Sequence, residues 1–266
     1  LAAGVNADRI VIALIGERSR EINEFVTEKL PAPTLSKSVI VAASASEPAN
    51  AKKRAAYCAM ATAEHFRDEG HHVLLLFDSI TRFAEAHRET ALAVGETPAL
   101  HAFPPSTTRV VSELAERSGP GSTGAGDITA IFSVRVAGSN LEEPVADMIR
   151  GILDGHIVLS REIAERGRYP AIDALKSVSR SLPGAANEDE NGLIGAIRSR
   201  LSLHHRVEPM LRAGLFEPGH DAQADLAIAQ FPALDAFIGA SNPEDIPTAF
   251  TALSEALDQP GDNTVS

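Results

Sequence analysis

The sequence predicts a mostly parallel α/β sheet flanked by helices, followed by a smaller all-helical domain. Three observations carry this. Short β-branched runs alternate with helically spaced segments over the first 180 residues, as βαβ crossovers require. After Ser181-Leu182-Pro183-Gly184 only helical spacing remains. Hydrophobic residues make up 44% of the 266, enough to bury a core.

The elements follow in order. Arg9 to Ile15 is a near-continuous apolar run stopping at Gly16, the pattern of a strand buried on both faces. Ser19 to Leu30 places Ile22, Phe25, Val26 and Leu30 at helical spacing, and Pro31 and Pro33 close it. Ser38–Ala43 reads as a second strand and Pro48–Glu69 as an Ala-rich helix ending at Gly70. His72–Phe77 is a third strand, Ala130–Val136 a fourth and His156–Leu159 a fifth. The stretches 95–106 and 119–126, rich in Gly and Pro, are expected as long loops at one end of the sheet. Asn191–Gly214 is helical, with shorter helices over 221–238 and 243–257. These spans set an α/β domain at 1–182, a helical domain at 183–258 and a fraying tail at 259–266.

Composition narrows the function. A formal charge of −12 disfavours a broad nucleic-acid or anionic-membrane surface, and no nucleic-acid partner is expected. A single cysteine, Cys58, excludes an internal disulfide and suits a reducing compartment. No run of about 18 apolar residues suggests a membrane span. His71-His72 and His204-His205 are poor metal pairs, because neighbours on a strand or helix do not share a face. Lys52-Lys53-Arg54 reads as a solvated helix face.

The chemistry gathers at strand ends. Leu74-Leu75-Leu76-Phe77-Asp78 puts a carboxylate at the C-terminal edge of a parallel sheet, where open α/β folds bind ligands. Asp78 there suits Mg²⁺ held through water, and it equally suits capping the helix that starts at Ser79. The first strand ends comparably at Gly16-Glu17-Arg18-Ser19-Arg20-Glu21. Glu17 beside Asp78 would supply a general base next to a metal carboxylate. Glu17 and Glu21 also fit the simpler role of acids at a helix N-terminus.

Five segments in order, GERSREINEF, LLLFDSITRFAEAHRE, GETPALHAFPPS, DGHIVLSREIAERGRYPAID and SVSRS, resemble the ATPases of bacterial type III secretion and flagellar export. That family is itself similar to the α and β subunits of rotary ATP synthases, and the likeness weakens after about residue 185. It implies a RecA-like P-loop NTPase domain using ATP and Mg²⁺. It implies Glu17 as the catalytic glutamate, Arg18 beside it near the γ-phosphate, Glu21 as an acid near the metal and Asp78 as the Walker B aspartate. Arg82 would share that rim. Tyr169 would pack against adenine, though on local grounds it equally reads as a core tyrosine stapled by Pro170. Arg180 would reach into a neighbouring subunit's site as an arginine finger, or else be an ordinary exposed arginine. Both Glu17 and Arg180 on one chain imply a hexameric ring of identical subunits, and disfavour a rotary synthase catalytic subunit.

The same resemblance implies export chaperones, secreted substrates, and stalk and stator proteins as partners. It implies a cytoplasmic location at the inner-membrane base of the apparatus, with loops 95–106 and 119–126 facing the channel or the subunit interface. A non-catalytic ring or scaffold subunit is the competing reading; retention of Glu17 argues against it. The sequence holds no Gly-Lys pair and therefore no G-x-x-x-x-G-K-[ST] phosphate loop. With Leu1–Val5 read as the end of the helix after that loop, the expectation is a truncated ATPase lacking its P-loop and N-terminal barrel, inactive alone.

Overall fold

The computed structural model describes residues 5–99, 102–137, 140–240 and 245–258. Leu1–Gly4, part of the expected helix end, and the expected tail 259–266 lie outside the described residues. The chain divides into two compact units, residues 1–153 and 154–266.

The first unit is built on a sheet of order β2-β1-β3-β5-β4, in which β1 (Arg9–Glu17), β2 (Ser38–Ser44), β3 (His72–Asp78) and β5 (Asp127–Phe132) are parallel. β4 (Gly119–Pro120) adds a two-residue antiparallel edge. β1 is an interior strand, between β2 and β3, and is buried on both faces. Val11, Ala13 and Ile15 join the core with α3 (Ala49–Asp68), α4 (Ile80–Ala93), α5 (Ser106–Ala115) and α6 (Pro144–Ile152). Ile10, Ile12 and Leu14 face the opposite side, against Ile22, Phe25 and Leu30. That two-sided burial explains why its sequence runs apolar without alternation.

Several boundaries differ from the sequence expectation. β1 continues through Gly16 to Glu17 by way of a register shift against β2. The predicted helix 19–30 is α1 (Ser19–Glu24) continued by a π-helical segment, Phe25–Lys29, and a short α2 (Ala32–Ser36) fills the Pro-rich stretch. The fourth strand sits at Asp127–Phe132 rather than 130–136: Ser133 N–H still reaches the Phe77 carbonyl at the end of β3, but its own carbonyl accepts from Ile80 in the first turn of α4, and the pairing ends there. Segment 119–126 lies where β3 begins, away from the rim: Gly126 N–H donates to the Arg67 carbonyl, and a Cβ on Gly126 would fall 2.0 Å from the His71 carbonyl oxygen.

The second unit begins with β6 (Gly155–Leu159), α7 (Arg161–Glu165) and β7 (Ile172–Ser179), then α8 (Glu188–Arg212), α9 (Ala222–Gly239) and α10 (Ile246–Asp258). His156–Leu159, expected as a fifth strand of the parallel sheet, pairs antiparallel with β7 in a sheet of two. Ala174 and Leu175 of β7 pack into the core of α8–α10, around Ile197, Leu201 and Leu234. Packing therefore groups the hairpin with the helices, although the composition shift falls at 182. Asn187 starts α8 with a capping box: its side chain accepts from Glu190 N–H, and Glu190 accepts from Asn187 N–H.

Candidate functional site: a carboxylate rim and two residues of the second unit

Glu17 owes its position to Gly16. This glycine has φ +77°, and a Cβ on it would come within 2.9 Å of Arg82 Cβ and Cγ. Only glycine meets both demands. The irregularity it creates re-aims the next side chain, as bulges beside active sites do. Glu17 is 7% exposed. Its Oε1 lies 2.7 Å from Arg135 Nη2. Burial raises the carboxyl above the usual carboxylate range; Arg135 opposes that rise, and Asp78 and Glu21 reinforce it.

Asp78 ends β3, paired in register with Leu14 of β1. Ser133 Oγ donates to its Oδ1 at 2.5 Å. It is Ser79, fully buried, that caps α4, accepting from Arg82 N–H at 3.4 Å; Asp78 is thereby left for other work. One carboxylate oriented by a hydroxyl suits Mg²⁺, which keeps several waters and takes its other ligands from substrate phosphates. Arg82, in the first turn of α4, binds Glu85 Oε2 at 2.8 Å; that bond chiefly holds its pKa up, with Glu17 adding to it. Arg18 and Glu21 are more exposed and form a 3.7 Å pair across the start of α1. The first unit thus gathers Glu17, Arg18, Glu21, Asp78 and Arg82 around the ends of β1 and β3. Arg135 and Ser133 belong with them and were not singled out from the sequence, which placed both inside the expected strand 130–136.

Tyr169 and Arg180 lie in the second unit. Tyr169 is 66% exposed, hence no core residue, and it lines an open pocket with Arg168, Phe231, Pro232 and Gly239. Arg168 fixes the floor: Nε donates to Asp235 at 3.0 Å, Nη1 to the Pro170 carbonyl at 2.7 Å and Nη2 to the Ile172 carbonyl at 2.9 Å. An aromatic ring beside an open apolar edge suits stacking of a planar base. Phe231 and Pro232, far away in sequence, were not anticipated. Arg180 follows β7 and is exposed, its N–H donating to the Asp154 carbonyl at 2.6 Å. His204 stacks flat on Phe231 at 3.6 Å, and burial lowers its pKa.

Comparison with known proteins places the whole chain in a family. Residues 1–179 match the family model described as the ATP synthase alpha/beta family, nucleotide-binding domain, and residues 186–258 match the T3SS EscN ATPase C-terminal domain. A flagellum-specific ATP synthase of Caulobacter vibrioides is 44% identical over 264 residues, covering 97% of this chain and 60% of that protein. An SPI-2 type 3 secretion system ATPase of Salmonella typhimurium is 44% identical over 239 residues, covering 90% of this chain and 55% of that protein. The chain thus spans little more than half the length of these relatives. The assembled ATPase EscN of enteropathogenic E. coli superposes with a TM-score of 0.90 at 39% identity, covering 96% of this chain and 62% of that one. The chain belongs to the ATP synthase alpha/beta family, as a nucleotide-binding domain followed by a C-terminal region of the type III secretion ATPase kind.

Proposed function

We propose that this chain carries the hydrolytic centre of a type III protein-export ATPase, which converts ATP to ADP and phosphate to drive chaperone release, unfolding and export of secreted proteins. One observation carries the reading most: a buried Glu17 beside Asp78 at the ends of two adjacent parallel strands. Glu17 takes a proton from a water as its oxygen attacks the γ-phosphorus, and the bond to the β–γ bridging oxygen breaks. Asp78 would hold Mg²⁺, which supplies charge neutralisation on the phosphates when bound. Arg82 and Arg18 face the developing negative charge, and Glu21 orders the metal's surroundings. Tyr169 stacks on adenine. Arg180 acts from a neighbouring copy.

The names of the relatives support the setting. One neighbour is described as the assembled EscN, and another as EscN in complex with its central stalk EscO, matched at TM-score 0.87. By analogy we assign a hexameric ring of identical subunits, with stalk and stator proteins, chaperones and secreted substrates as partners. The site of action would be the cytoplasmic base of the apparatus. No described helix is long and apolar enough to cross a membrane.

The test uses a polypeptide carrying these residues together with a phosphate-binding loop. Glu17→Gln is expected to lower ATP turnover by about 10²–10⁴-fold while leaving ATP affinity within a few-fold, since it removes only the proton acceptor. Normal turnover by this variant would sink the assignment of the base.

A further inference from the structure

The cation paired with Glu17's Oε1 is one that the motifs do not name. Arg135 stands three positions past β5, on a segment tied down through its backbone. Its N–H donates to Thr81 Oγ1 at 3.0 Å, and the Thr81 hydroxyl returns a bond to its carbonyl at 3.4 Å. Two residues earlier, Ser133 accepts the Ile80 N–H on its carbonyl and donates its own N–H to the Phe77 carbonyl. The segment is thus laced to the end of β3 and the first turn of α4. From this short stretch two side chains reach the rim: Ser133 donates to Asp78, and Arg135 pairs with Glu17 at 2.7 Å.

The charges show why a cation is needed there. Glu17's side chain is 9% exposed, and Asp78 and Glu21 add negative potential to it. A buried carboxylate among acids is costly without a partner. Arg82 contributes at longer range, but its guanidinium is bonded to Glu85. Arg135 makes the direct contact, an ion pair of 2.7 Å acting through charge, since Glu17 Oε1 has no aligned hydrogen-bond donor among the described residues. Its guanidinium is always charged and weakly hydrated, which suits a contact at the edge of a buried site. Its side chain is 50% exposed, so it covers the carboxylate from outside instead of belonging to the core.

We propose that Arg135 is the positioning residue for Glu17: it holds the Glu17 carboxylate in one orientation on the rim, while Ser133 on the same segment holds Asp78. One stretch of chain then sets the separation of the two acids on which water activation depends. This rests on reading Glu17 as the base, and the experiment separates the two claims.

In a polypeptide that also carries a phosphate-binding loop, Arg135→Ala is expected to lower kcat by about 10- to 100-fold, the scale of a misplaced catalytic group, with KM for ATP changed less than about twofold. Arg135→Lys should recover part of kcat. Adding Arg135→Ala to Glu17→Gln should cost no further activity, because both act through one carboxylate. A raised KM with kcat retained would make Arg135 a nucleotide contact and overturn the proposal. So would an Arg135→Lys variant no faster than Arg135→Ala.

A second readout needs no catalysis. In the 266-residue chain, Arg135→Ala should lower Tm by ~2–4 °C with Glu17 present and by almost nothing with Gln at position 17. Additive losses would overturn the contact whatever Glu17 does. Full turnover by Glu17→Gln combined with a strongly non-additive Tm cycle would instead overturn the base reading alone, leaving Arg135 as the residue that positions Glu17.

Discussion

The two units hold their candidate residues in opposite ways. In the first, Glu17 is buried, its ion pair is short, and the turn that delivers it admits only glycine. In the second, Tyr169 and Arg180 stand exposed at the surface of a hairpin and its connections. The difference suits the chemistry proposed for each. A proton acceptor must be held within hydrogen-bond reach of its water and shielded from bulk solvent, so the fold has to build its surroundings. A base-stacking ring or an arginine finger meets a group arriving from outside, so exposure before that encounter is a requirement of its role.

The sharpest way to break this contrast is Arg180. If it serves a neighbouring copy, Arg180→Ala should lower hydrolysis in the assembled, loop-bearing protein by about 10³–10⁵-fold, the range for such fingers. Mixing it with Glu17→Gln subunits should then restore turnover. At a mixed interface an intact Arg180 faces an intact Glu17. Absence of complementation would place Arg180's effect within its own subunit. Tyr169 should give a smaller effect. Tyr169→Ala is expected to raise KM for ATP by about tenfold, within the range of one lost stacking contact, with kcat nearly kept; Tyr169→Phe should match the parent. An unchanged KM in steady-state assays would remove Tyr169 from the adenine site.

What could be read in the sequence divides along physical lines. β1 and β3 were legible because burial on both faces writes an unbroken apolar run, and a carboxylate directly after such a run is a local signal. β6 was legible as a strand but not its direction or partner: β7 carries Asp173 and Lys176, and an apolar tetrapeptide says nothing of parallel or antiparallel pairing. Arg135 was hidden by continuing alternation. The sequence AIFSVRV still reads as strand past Phe132, yet β3 ends at Asp78 and the Ser133 carbonyl turns to the Ile80 N–H of α4. The Phe231 side of Tyr169's pocket depends on a contact 62 positions away, beyond any local pattern.

The smallest expected effect asks whether the first unit shapes its long loop as firmly as its rim. Loop 95–106 is fastened at its base by Glu96, Ser106 and His87. Ser106 N–H donates to Glu96 Oε1 at 2.9 Å and its hydroxyl to Oε2 at 2.6 Å, while His87 Nε2 lies 2.7 Å from the same hydroxyl. The hydroxyl has one proton, and it goes to the carboxylate. His87 must therefore donate through Nε2, which leaves Nδ1 bare; that nitrogen is buried with no hydrogen-bond partner among the described residues. Burial first, and then nearby Lys53, push the imidazole's pKa down; Glu96 pulls it up less strongly, and Arg109 adds a smaller push down. The bonds from Ser106 hold Glu96 below the usual carboxylate range. Both folded pKa values are depressed, so the unfolded chain binds more protons. Stability from His87 is complete above its unfolded pKa of about 6.5 and is lost as pH falls; Glu96 follows below about 4.3. Tm of the first unit's transition should decline between pH 7 and 5, and His87→Gln, which retains an N–H donor but does not titrate, should flatten that decline. His204, buried and likewise depressed, provides the control in the second unit, where His204→Gln should leave the first transition's slope alone. An unaltered slope in His87→Gln would show that the loop's fastening carries no proton linkage, and that the first unit's close control of its charged groups stops at the rim.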